Sequence, residues 1–275
     1  MERIRQALEQ AEHDRSERAD GGRKRVPPKP AGSSAISPAS EVRYQRTRVV
    51  EVAEDVLEQS RLVAALPQHE LTDAYRILRT RVLQSMNANR WNALAISSPA
   101  TGSGKTLTAI NLAISLAREV NRTVLLADFD LRNPSIHQYF GYQPAAGLND
   151  YIFNDAPLED LLFSPSIERL VVLPGRESIH NSSEMLRSPK MTALVDELKA
   201  RYDDRLVIFD LPPILAVDDA MAFAPYADAM LLVAENGGTL REDMEKTLAI
   251  LKDTPVIGTV LNKTEAAYIG YGKKK

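Results

Sequence analysis

Ser98, Pro99, Ala100, Thr101, Gly102, Ser103, Gly104, Lys105 and Thr106 stand between the apolar run 93–96 and a strongly helical stretch that begins at Lys105. Strand, glycine-rich loop and helix in that order confine a chain to folds in which a helix N-terminus faces the end of a buried strand, the geometry that cradles phosphate. Gly102 and Gly104 let backbone N–H groups turn inward, Lys105 supplies a mobile cation for β- and γ-phosphates, and Thr106 offers a hydroxyl to Mg²⁺. A Gly-Ser surface turn would account for the glycines but not for Lys-Thr at this spacing. The ideal pattern has a glycine six residues before the lysine, and here that place is Pro99.

Two further apolar runs end in acid. Residues 123–127 lead into Asp128-Phe129-Asp130-Leu131-Arg132, and residues 206–209 into Asp210-Leu211-Pro212-Pro213. Each reads as a buried parallel strand delivering carboxylate at its C-terminal edge, where open α/β sheets bind ligands. Singly, such an aspartate can instead cap the helix that follows. Three motifs beside one loop point to a shared crevice.

The pattern predicts an α/β fold with a doubly wound, mostly parallel sheet. Strands are expected over 93–97, 123–128, 170–173, 206–209, 229–234 and 256–261, with helices near 105–119, 183–202 and 240–252. Right-handed crossovers place those helices on both faces. Ahead of this core, Ile4, Leu8 and Ala11 form a short stripe on an expected first helix, residues 15–42 read as a disordered linker, and apolar residues over 49–66 recur at helical intervals. The expected divisions are 1–42 for the arm, 43–90 for a helical layer, 91–265 for the phosphate-binding domain and 266–275 for a mobile tail.

The chain contains no cysteine, which excludes disulfides, thiolate zinc sites and thiol nucleophiles and fits a reducing cytoplasm. A formal net charge of −3 gives no reason to expect nucleic acid. Apolar runs fall short of the roughly 20 residues a membrane span requires, so the chain is expected to be soluble and to meet a membrane only through a partner. His13, His69, His137 and His180 are scattered without metal-site spacing, and Trp91 reads as packing.

With these motifs assembled, the chain resembles the bacterial tyrosine kinases of capsule and exopolysaccharide synthesis, a branch of the P-loop NTPases related to the MinD/ParA-type ATPases. Gly102 to Thr106 is similar to their Walker A, Leu125 to Arg132 to their second aspartate motif, and Val207 to Pro212 to their Walker B. Similarity continues through Asn181 to Ser188 and Gly258 to Asn262, and covers roughly residues 70 to 265. MinD/ParA-type ATPases carry a signature lysine five residues before the loop lysine; Ala100 stands there, in agreement with the kinase branch.

The resemblance implies a cytoplasmic autokinase that uses ATP and Mg²⁺. It implies nucleotide contacts from Thr101, Gly102, Ser103, Gly104, Lys105, Thr106 and Leu107, and an adenine contact from Asn262. Thr106 and Asp210 would place Mg²⁺, Asp128 would orient or deprotonate a tyrosine hydroxyl, and Asp130 would support the metal or the nucleophile. Arg132 would stabilise charge or belong to a subunit contact. Asp73, Arg76 and Arg79 resemble the Glu-x-x-Arg-x-x-Arg motif of ring assembly, with Asp73 in place of Glu; an intrahelical salt bridge is the other reading. A membrane polysaccharide chain-length regulator is the implied activator. The family's tyrosine cluster is represented by Tyr268 and Tyr271, either acceptors for a neighbouring subunit or incidental tail residues. An ATP-dependent switch or assembly ATPase without tyrosine transfer shares every phosphate-site residue and stays open at this stage, with a DNA-partitioning ATPase behind it.

Overall fold

The computed structural model describes residues 47–202 and 204–264. Its strands are β1 (Arg48–Val49), β2 (Ala93–Ser97), β3 (Thr123–Asp128), β4 (Phe163–Ser164), β5 (Leu170–Leu173), β6 (Arg205–Asp210), β7 (Ala229–Glu235) and β8 (Val256–Asn262). They form one sheet in the order β1-β4-β5-β3-β6-β2-β7-β8, parallel throughout except where β4 meets β5. The six expected strands are all present. Continuous apolar sequence is the reason, because β2 and β6 are buried along their whole length and face helices on both sides.

The helices are α1 (Glu54–Gln59), α2 (Thr72–Asn89), α3 (Lys105–Ala117), α4 (Ile136–Tyr139), α5 (Leu148–Asn154), α6 (Leu158–Leu161), α7 (Ser182–Leu186), α8 (Pro189–Ala200), α9 (Asp219–Phe223) and α10 (Arg241–Ile250). Strand alternation sorts the core into two layers. Leu94, Ile96, Leu126 and Ile208 pack with Ile110, Leu112 and Ile114 of α3 on one face, while Ala95, Val207 and Phe209 pack with Leu194 and Leu198 of α8 on the other. Phe129, Phe209 and Phe223 meet with ring centroids 4.8–5.0 Å apart directly beneath the acidic strand ends. Each side chain fully buried in this way contributes about 1.5–3 kcal/mol.

Two expectations are corrected. Residues 49–66 do not form a helical run: Val49 lies in β1, which pairs with β4, and only α1 and a 3-10 turn over Val63–Ala65 follow. Those apolar side chains are spent on closing a sheet edge and covering α3. The expected helix 183–202 is two helices, α7 and α8, because Pro189 has no N–H to continue the first; Ser188 caps the second by accepting a hydrogen bond from the Met191 N–H at 3.3 Å. The expected first helix, the linker 15–42 and the tail bearing Tyr268 and Tyr271 lie outside the described residues.

A buried amide, Asn111, ties the N-terminal layer to α3. Its Oδ1 accepts from the Ala64 N–H at 2.9 Å, and its Nδ2 donates to the carbonyls of Arg61 (3.1 Å) and Leu107 (3.0 Å). Helix α3 starts at the phosphate loop, so this layer is fixed to the element that carries Lys105.

Candidate functional site

Strands β2, β3 and β6 are neighbours and run in parallel, so their C-terminal ends open on one crevice. The loop after β2 turns through Gly102 (φ +78°) and Gly104 (φ +88°), conformations that glycine adopts without steric cost. Gly104 is the N-cap of α3, and a Cβ there would stand 2.1 Å from Asn262 Nδ2. That amide donates to the Ser103 carbonyl at 2.9 Å and so closes one side of the loop from the end of β8. Glycine at 104 is therefore required twice, by its dihedral and by its neighbour.

Lys105 reaches back over the loop, with Nζ 2.7 Å from Asp130 Oδ2, 3.2 Å from Thr106 Oγ1 and 3.8 Å from Asp210 Oδ2. Burial alone would lower its pKa, but the carboxylates of Asp210 and Asp130 outweigh it and raise the value. The lysine is held charged. Thr106 Oγ1 donates to Asp210 Oδ2 at 2.6 Å, and Asp210 Oδ1 is buried without a partner. Burial is the main influence that pushes Asp210 up to about 6, opposed by Lys105 and the Thr106 hydroxyl.

Asp128 takes the capping role that the sequence left open for it. Its Oδ2 caps α4 by accepting the N–H groups of Ser135 (2.8 Å) and Ile136 (3.0 Å), while Oδ1 is buried without a partner. Burial, reinforced by the Asp210 charge, pushes this carboxyl up to about 8. A wholly buried acid near neutrality with one free oxygen is suited to exchange a proton with a hydroxyl that enters the crevice. The loop carrying these groups is closed by Asp130 Oδ1, which accepts the Asn133 N–H at 3.1 Å.

The buried Asp210 carboxylate, with one oxygen unpartnered and the Thr106 hydroxyl against the other, offers oxygen donors of the kind a hard divalent cation takes. Thr101, Gly102, Ser103 and Gly104 lead into the N-terminus of α3, whose first turn holds Lys105, Thr106 and Leu107. Asn262 is brought to the same place from 159 residues away.

Asp73, Arg76 and Arg79 are not brought to the crevice. Asp73 and Arg76 form an exposed pair at 2.7 Å on α2, whereas Arg79 turns inward to Glu119 at 3.0 Å and donates to the Ser115 carbonyl at 3.1 Å. The intrahelical salt bridge weighed as an alternative is therefore present, and Arg79 fastens α2 to the far end of α3. Arg132, which the sequence left between two roles, donates from Nε and Nη2 to Asp219 Oδ1 at 3.2 and 3.1 Å. No motif marked Asp219; it follows Asp218 directly and is the first residue of α9.

Comparison with known proteins finds matches over most of the described residues. An AAA-domain family model matches residues 92–248. The tyrosine-protein kinase YwqD of Bacillus subtilis is 33% identical over 215 residues, covering 76% of this chain and 89% of that protein. The putative tyrosine-protein kinase EpsB of Ralstonia nicotianae is 32% identical over 213 residues, which is 77% of this chain; the chain spans only 28% of that longer relative. Among solved structures, the chimerical protein CapA2B2 superposes with a TM-score of 0.69 at 26% identity, covering 79% of this chain and 93% of the other.

Proposed function

The chain belongs to the bacterial tyrosine kinase family, and from that membership we propose that it transfers the γ-phosphate of ATP to tyrosines of neighbouring copies, in the service of capsule or exopolysaccharide production. The observation that carries the reading is the convergence of Lys105, Thr106, Asp128, Asp130 and Asp210 on one crevice.

Phosphoryl transfer needs an in-line nucleophile, neutralised phosphate charge and a group to take the hydroxyl proton. The amides at the N-terminus of α3 and Lys105 hold the β- and γ-phosphates, Lys105 exchanging part of its contact with Asp130 for phosphate oxygen. Thr106 and Asp210 would hold Mg²⁺, which supplies charge neutralisation between the phosphates. Asp128 Oδ1 receives the phenol proton as the tyrosine oxygen bonds to phosphorus and the bond from the γ-phosphorus to the bridging oxygen of ADP breaks. Asp130 keeps Lys105 in place between turnovers. Asn262, already against the loop, borders the place where the base of the nucleotide would lie.

A homo-oligomeric, ring-like assembly through α2 belongs to this proposal, as does a membrane polysaccharide regulator that recruits and activates the chain at the inner face of the membrane. No helix among the described residues is long and apolar enough to cross a membrane. Replacing Arg76 and Arg79 together by Ala is expected to shift the mass measured by light scattering toward monomer and to slow transfer between chains, with ADP affinity kept within about twofold because the Asp73–Arg76 pair is exposed and contributes little, and Arg79 holds α2 at the end of α3 away from the loop. An unchanged mass at every concentration would leave the internal contacts of these residues as their whole role.

The kinase assignment is tested by mixing. Five residues lie between Asn262 and Tyr268, a span of about 20 Å when fully extended. A Lys105→Met chain that keeps its tyrosines is combined with an active chain carrying Tyr268→Phe and Tyr271→Phe. The inactive chain is expected to become labelled, at a rate that falls steeply on dilution. ATP hydrolysis without phosphotyrosine at either position would favour a partner-binding switch instead.

A further inference from the structure

Four carboxylates are buried among the described residues: Asp128, Asp130, Asp210 and Asp219. The first three are the motif aspartates of the phosphate crevice. Asp219 belongs to no motif, yet it is 0% exposed. Carboxylates that pin the fold in this protein accept backbone N–H groups, as Asp228 does from Asn92 and Ala93 at 2.9 and 3.0 Å, and Asp150 from Gly147 at 2.9 Å. Asp219 accepts none among the described residues. Its Oδ1 takes only the two bonds from Arg132, and its Oδ2 is buried without a partner. A buried carboxylate is costly unless it is paired, and here the pairing goes to a single side chain.

The position of Asp219 is itself fixed. The segment between β6 and α9 is tied to the phosphate loop by the Ile214 N–H to the Ser98 carbonyl (2.9 Å) and the Leu215 N–H to the Pro99 carbonyl (3.1 Å). Arg132 comes from the other wall of the crevice, two residues after Asp130. Its side chain is one-third exposed, and the carboxylates that meet it are Asp219 and, at 3.7 Å, Asp218. Asp130 and Asp210 are engaged by Lys105 instead, and Asp128 by the N–H groups of Ser135 and Ile136. Arg132 is thus a cation outside the phosphate cluster, clamped along its Nε and Nη2 edge.

We propose that Asp219 is a positioning residue that locks the plane of the Arg132 guanidinium at the crevice wall, so that its flat cationic face receives the phenol ring of the acceptor tyrosine. A guanidinium packs on an aromatic face in a way that an ammonium on a flexible stem does not, and a clamped one loses less freedom in doing so. The arrangement selects tyrosine over serine or threonine by the ring it stacks. It rests on the kinase reading, with acceptor recognition as the added element.

The test uses the full chain with Mg·ATP and a neutral peptide bearing one tyrosine, and compares Asp219→Asn, Asp219→Glu, Arg132→Lys and the double variant Arg132→Lys/Asp219→Asn. Asp219→Asn and Arg132→Lys are each expected to raise the peptide KM by about tenfold, the scale of a desolvated cation–π contact. Affinity for a fluorescent ADP analogue should stay within about twofold, since phosphates are held by Lys105 and the loop. Asp219→Glu should recover part of the loss, and the double variant should be no worse than either single one, because both act through one guanidinium. An unchanged peptide KM, a loss confined to kcat, or additive effects in the double variant would overturn the assignment. If Asp219→Asn fails to bind the ADP analogue, Arg132→Lys, which keeps a cation opposite the buried carboxylate, carries the comparison. Absence of transfer by the unmodified chain would count against the kinase reading itself.

Discussion

Lys105→Met is expected to lower phosphoryl transfer by about a thousandfold or more, because a preorganised cation aimed at developing phosphate charge is removed from a site shielded from water. In this crevice the lysine has a second duty. It is the cation within 4 Å of both Asp130 and Asp210, so its loss leaves two buried carboxylates facing each other without compensation. Methionine fills a similar volume and keeps α3 packed. Radiolabel transfer to the tyrosine-bearing tail, measured beside circular dichroism, checks the effect. Undiminished transfer by a folded Lys105→Met chain would sink the assignment of the phosphate loop.

Asp128→Asn is the second substitution with a large expected effect. An asparagine can still offer a carbonyl oxygen to the N–H groups of Ser135 and Ile136, so the cap on α4 survives while the proton acceptor is lost. Transfer should fall by about 10²- to 10⁴-fold, the range for removal of a general base. The same variant carries a signature in stability. Asp128 is pushed from its ordinary 3.8 up to about 8 in the fold, so the folded chain binds this proton more tightly than the unfolded one. The stabilisation is fully present below about pH 4 and is lost as pH rises through about 8. In metal-free buffer without nucleotide, the melting temperature of the unmodified chain should therefore decline across that window more steeply than that of Asp128→Asn, which has no proton to lose. Parallel curves would show that the carboxyl titrates in its ordinary range, and unreduced transfer would remove Asp128 from the proton-accepting role.

Much of the molecule is written locally in the sequence. Runs such as Ala93–Ser97 and Arg205–Asp210 are apolar throughout because both faces of a central parallel strand are covered, and the glycines of the phosphate loop announce positive φ and close approach within a few residues. Those signals located the six main strands, while their order in the sheet was decided by the tertiary structure. Tertiary structure decided what depends on partners distant in sequence. Two-residue strands such as β1 and β4 are too short to leave a period, so Val49 joined the sheet where helical spacing was expected. Arg79 found Glu119 and Ser115 on α3, which no spacing along α2 could indicate. Asn262 meets Ser103 across 159 residues and Arg132 meets Asp219 across 87. Adjacent aspartates at the start of a short helix look like solvated polar residues, and only packing reveals that Asp219 is buried while Asp218 is half exposed. Local chemistry therefore marked the glycine-rich loop and the acidic strand ends, and the fold determined which side chains stand around them.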